Sequence, residues 1–227
     1  MRSVYRKLAC WVAVASIGAA TPALALTGGP DAYGYSFIDS NEPGGPTFNW
    51  IDISTTGTPL TFFNGDEQIP IGFDFGYYLS THTDIMVSGS GAVYFAPPMT
   101  WLDFYPNCMP GYIPSYPQID QMIAPAWGWL DPWSGGTVYW ELQGSAPYRK
   151  LIVQWEAMPH FYWYPYDYYT FQVILEETTN RITFQYEDMS AMGQTPNGQM
   201  STCAIQNGPN LGLQYSCSQP ALTDGLA

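Results

Sequence analysis

The chain of 227 residues is poor in charge and poorest in basic residues: 11% of positions are charged, six Lys and Arg against 19 Asp and Glu, for a formal net charge of −13. Three of the six, Arg2, Arg6 and Lys7, crowd the extreme N-terminus, and without them the balance is three against 19, a net of −16. A surface of that sign repels phosphate backbones and anionic lipid headgroups, with few cations to displace counterions. Nucleic acid is excluded as a partner. Long apolar runs are missing too: the stretch at 8–20 has 13 residues, too few to span a bilayer, and no later one is longer. Histidine is scarce, with only His82 and His160, so a Ser-His-Asp relay has little to draw on and both are read as surface or capping residues. Ser90 has Ser88 and Ala92 where a nucleophile elbow needs glycines. No Cys-x-x-Cys or His-Glu-x-x-His pattern offers zinc its ligands. No catalytic residues are assigned, and the chain reads as a non-enzyme.

What is present begins with an export signal. The apolar stretch follows a basic segment at 1–7 and precedes Thr21, Pro22 and the small-residue site Ala23-Leu24-Ala25. Residues 1–25 are read as a signal peptide, and 26–227 as a secreted mature chain with no membrane insertion. Cys10 precedes the apolar stretch instead of ending it, which argues against a lipid anchor there. The mature chain keeps Cys108, Cys203 and Cys217. Cys203 and Cys217 flank the turn at 207–210 about equally, which predicts a disulfide across a hairpin in an oxidising compartment, with Cys108–Cys217 as the alternative.

Alternation with a period of two dominates, and no window of a dozen residues free of Pro and Gly shows a helical period. The clearest strands are 137–142, 151–157, 170–176 and 182–187, with earlier ones at 34–39, 48–54, 60–63, 69–75, 85–87 and 92–95. On the four clearest, Val, Leu, Ile, Phe, Tyr and Trp occupy one parity. The other carries Glu141, Gln154, Glu156, Gln172, Glu176, Gln185 and Glu187, the pattern of a wet face. The expected fold is all-β: a single two-sheet antiparallel β-sandwich, jelly-roll-like, with long Pro- and aromatic-rich loops.

Three groups of residues invite a functional reading. In the link at 160–169, seven of the nine residues after His160 are aromatic. Phe161, Tyr162, Trp163, Tyr164, Tyr166 and Tyr168 form the expected binding surface, because rings stack on sugars and fill partner pockets, and Trp163 is the expected anchor. Asp39, Asn41 and Glu42, with Asp52 beyond them, supply clustered oxygens of the kind Ca²⁺ prefers, against the plainer reading of an Asx-type turn with solvated acids. Glu141 and Glu156 share outward parity on consecutive strands, as the paired carboxylates of a glycosidase do, but Glu and Gln on a wet face also arise from solubility alone.

The order of features in IPIGFDFGYYLSTHTDIMVSGSGAVYF at 69–95, IAPAWGWLD at 123–131, GGTVYW at 135–140, LIVQWEAMPHF at 151–161 and YTFQVILEETTNRITFQYEDM at 169–189 resembles the nidogen-like domain and its bacterial secreted relatives. GYSFIDSNEPGGPTFNWIDIS near the start and IQNGPNLGLQYSC near the end extend the similarity over roughly 34–217. Two departures stand out: Ser90 replaces the Asn those relatives place before Gly91, and little chain follows Cys217 where they run into a further strand. The resemblance implies a secreted β-rich module for contact and adhesion, with an extracellular protein or glycan as partner, and carries over no catalytic residues. The alternatives are a carbohydrate-binding module and a glycoside hydrolase.

Overall fold

The computed structural model describes residues 26–62, 66–95, 120–160, 168–189, 196–208 and 210–227. Among them the strands, in chain order, are β1 Thr27–Gly28, β2 Phe37–Ile38, β3 Thr58–Leu60, β4 Glu67–Tyr77, β5 Ser80–Ser88, β6 Ala92–Tyr94 and β7 Gln121–Gly128. β8 Thr137–Gln143, β9 Lys150–Pro159, β10 Tyr168–Glu176, β11 Ile182–Asp188, β12 Ser201–Asn207 and β13 Gly212–Cys217 follow. They build a five-stranded sheet in the order β11-β10-β9-β8-β3 and a six-stranded sheet in the order β13-β12-β7-β6-β5-β4, with β1-β2 as a separate pair. All pairings are antiparallel. The expected sandwich is present.

The core lies between the sheets. Ile69, Ile71, Phe73, Phe75 and Tyr77 of β4 alternate into it, as do Leu151, Val153 and Trp155 of β9 and Phe171, Val173 and Leu175 of β10. Trp155 stacks on Phe171 with ring centres 5.0 Å apart and reaches the other sheet by donating its indole N–H to the Ser88 carbonyl at 2.9 Å. The turn between β5 and β6 does not need Asn at position 90: Gly91 takes the positive φ of 88°, and a Cβ there would lie 2.3 Å from the Ala126 carbonyl oxygen. Near the C-terminus, Leu226 is buried and bridges Tyr186 of β11.

Three expectations need correction: the strand at 48–54, the wet outer face and the Cys203–Cys217 bond. Residues 48–54 form no strand; they cross the outer face of the five-stranded sheet, and the N–H groups of Asn49 and Ile53 go to side chains instead of a neighbouring ladder. Asn49 donates to Gln185 Oε1 at 2.6 Å and Ile53 to Gln154 Oε1 at 3.0 Å. The face read as wet is therefore partly covered: Gln154, Gln172 and Gln185 are buried in one cross-strand row, and Ile53 packs on Ile152 and Ile174 beside it. Alternating Gln reads as solvation, yet an amide can equally satisfy a crossing backbone.

Cys203 and Cys217 do not pair. Cys203 lies opposite Ser216 and Cys217 opposite Thr202, and neighbouring strand positions point to opposite faces. The Cys203 sulfur faces the core, 3.2 Å from the Tyr186 hydroxyl, and is free and buried; the Cys217 sulfur lies 3.2 Å from the Thr202 hydroxyl.

Candidate functional site: the aromatic end of the sandwich

The aromatic link leaves the sheet through an irregular pair of strand ends. Ala157 on β9 takes a φ of 47°, the β9-β10 register shifts between Tyr169 and Phe171, and Ala157 donates its N–H to Thr170 Oγ1 at 3.0 Å. Such a bulge re-aims the side chains beyond it. Tyr169 is buried, while Tyr168, paired with Pro159, is 45% exposed.

The connection between β7 and β8 packs against the same strand end. Leu130 bridges His160, and Asp131 donates its N–H to the Pro159 carbonyl at 2.9 Å. The buried Asp131 carboxylate accepts the Trp133 N–H at 3.0 Å and the Ser134 hydroxyl, an Asx turn that holds Trp133 outward at 53% exposure. Gly136 brings the connection back against β9, where a Cβ would lie 2.7 Å from the Ala157 carbonyl oxygen. His160 is buried, not a surface residue, and meets Tyr169 edge-on with ring centres 4.7 Å apart. Two exposed rings, Trp133 and Tyr168, thus stand on a rigid frame at the foot of the link. Trp133 was not anticipated, although Asp131-Pro132-Trp133-Ser134-Gly135-Gly136 is strong turn sequence around a large ring. Phe161, Tyr162, Trp163, Tyr164 and Tyr166 lie outside the described residues.

The family model described as NIDO related matches residues 35–226, which take in both sheets and this end. The chain belongs to the NIDO-related family. No curated protein and no solved structure matches it.

The remaining candidate residues of this NIDO-related domain do not converge on a second centre. Glu156 faces Thr137 and Glu141 faces Ile152, four positions along the strand, so at ~3.3 Å per residue their backbone positions are offset by ~13 Å. Glu141 accepts the Thr56 hydroxyl at 2.6 Å. Glu156 accepts the Gln154 amide at 2.8 Å; burial, with Asp52 and Glu187 nearby, raises its carboxyl above the usual range. The Asp52 carboxyl is held low, first by the Ser54 N–H. Asp39 is buried and bonds its oxygens to Leu26, Asn41 and Tyr215, whereas the exposed Asn41 and half-buried Glu42 lie in the turn beyond it. Among the described residues no group of three or more His, Cys, Asp or Glu is placed to hold a metal ion.

Proposed function

We propose that this NIDO-related domain is an exported, noncatalytic module that makes contacts outside the cell, with a protein or a glycan as partner, through the aromatic end of the sandwich. The observation that carries this reading is the outward pair Trp133 and Tyr168 on a hydrogen-bonded frame. Tyr168 closes a link whose own residues are mostly aromatic, and the turn that carries Trp133 bonds to Pro159 on the strand that leads into it. Rings fixed by the fold bind at low entropic cost, and the acidic surface disfavours nucleic acid and anionic membranes.

The test compares the parent chain with Trp133→Ala, Tyr168→Ala and Trp163→Ala on a glycan array and against a native cell-surface fraction. Each anchoring ring should cost ~1 to 3 kcal/mol of binding with little change in melting temperature. Unchanged binding in all three variants, or loss of binding only with unfolding, overturns the proposal.

A further inference from the structure

Asp39 is 3% exposed, yet none of the ion pairs among the described residues includes it. Among the described residues, Arg149 pairs with Glu177, while Lys150 and Arg181 pair with Glu176. Its oxygens are met by neutral donors: Oδ2 accepts the Leu26 N–H at 3.0 Å and the Tyr215 hydroxyl at 2.9 Å, and Oδ1 accepts the Asn41 N–H at 2.9 Å. A carboxylate this buried ordinarily has a cation beside it. The surrounding segment also forms a roof. β1 and β2 pair through Thr27 with Ile38 and Gly28 with Phe37, and Ser40 donates its N–H to the Ala227 carbonyl at 2.8 Å. Beneath them lies a cavity of about 250 Å³, lined by Phe37, Ile38 and Asp39 on the roof side and by Phe184, Leu213 and Tyr215 on the strands.

One of the three donors to Asp39 is the nitrogen of the residue that follows Ala23-Leu24-Ala25. We infer that signal removal supplies the missing cation: the new α-ammonium of Leu26 pairs with the buried Asp39 carboxylate and locks β1-β2 over the cavity. This rests on the export reading. Hydrolysis of the Ala25–Leu26 bond consumes one water; Ala25 leaves as a carboxylate and the Leu26 nitrogen becomes an ammonium at neutral pH. Before the cut that nitrogen is an uncharged amide with one N–H, and the buried charge lacks its counterion. The precursor therefore has a looser roof than the mature domain, which suits a chain that crosses a membrane before it folds.

Purified protein beginning at Leu26 is compared with the same protein acetylated at that amine, which keeps an N–H and removes the charge. The acetylated form should melt ~5 °C or more lower near neutral pH. The ion pair raises the folded-state pKa of the amine above its unfolded value of ~8. Its stabilisation is full below ~8 and lost as the pH rises through the folded value. The acetylated form should lack that alkaline fall, and Asp39→Asn should erase the difference between the two forms. Equal melting of the free and acetylated proteins, or a difference that survives Asp39→Asn, overturns the ion pair. The acetylation comparison needs no substitution, so it decides the matter even where Asp39→Asn fails to fold. N-terminal sequencing of exported protein should find Leu26; another start overturns the export reading and the processing step, whereas equal melting overturns the ion pair alone.

Discussion

Gln154 accepts the backbone N–H of Ile53 at 3.0 Å, although the two residues are 101 positions apart. Its amide nitrogen donates to Glu156 at 2.8 Å and to Asp52 at 3.3 Å, so one buried side chain serves both the sheet and the segment lying on it. Gln172, next in the same row, has no hydrogen-bond partner at either amide atom among the described residues.

These two glutamines should therefore respond oppositely to the same change. Gln154→Leu strands the Ile53 N–H in a buried site and is expected to cost ~1 to 3 kcal/mol, whereas Gln172→Leu removes a polar group that bonds to nothing and should be neutral or stabilising. Urea unfolding of both variants checks this. Equal losses in the two would contradict the hydrogen-bond pattern.

Glu156 should reveal itself through pH. Its carboxyl is raised above the ordinary 4.5, chiefly by burial and then by Asp52 and Glu187. A raised acid favours the folded state while protonated, so this contribution is present below the unfolded value and lost as the pH climbs through the folded one. Glu156→Gln keeps the acceptor for Gln154 and removes the charge. It should raise the melting temperature at pH 7, with the gain shrinking towards pH 4. Thermal melts across that range test it; a gain that does not depend on pH rules out the charge as its cause.

Arg149 and Glu177 tie the β8-β9 turn to the β10-β11 turn, with the Arg149 backbone N–H and Nε both donating to Glu177 Oε2, at 3.0 and 2.9 Å. The guanidinium bonds hold the Glu177 carboxyl down to about 2. A lowered acid stabilises the fold above its unfolded value, and that contribution fades as the pH falls through the folded one. Arg149→Ala should lower the melting temperature at pH 7 and lose most of that effect between pH 4.5 and 2. A deficit that persists at the acid end would assign it to packing against Phe73 instead.

Cys203 is expected to stay reduced and inert. Burial pushes its thiol up to about 12, so almost no thiolate exists at neutral pH. A thiol reagent should label it only on unfolding, and non-reducing peptide mapping should join Cys217 to Cys108, the alternative pairing read from the sequence. A linked Cys203–Cys217 peptide would contradict the opposed faces.

Much of the sandwich was legible because alternation is a local signal. The predicted 137–142, 151–157, 170–176 and 182–187 all fall inside β8, β9, β10 and β11. What escaped depends on contacts distant in sequence. Ile51 and Ile53 alternate like strand residues, and only the amides waiting on β9 and β11 show that their segment lies on a sheet instead of in one. The cysteines failed for a related reason: symmetry about a turn predicts neighbouring strands, but facing depends on register, which a bulge between Cys203 and Ala204 alters. At the proposed contact end, Tyr168 belongs to a segment that composition alone singles out, whereas the exposure of Trp133 depends on the Asp131 turn.

The crossing segment also imposes an order of events on folding. Asn49 and Ile53 find their acceptors 136 and 101 residues downstream, so they have nothing to dock on until β9, β10 and β11 have assembled. Synthesis delivers that segment early and assembly uses it late, at the loop-closure cost that slows folds built on distant contacts. Hydrogen exchange during refolding should then show β9 and β10 amides protected before those of Asn49 and Ile53, making the early-synthesised segment a closing strap on a sheet built from the later chain.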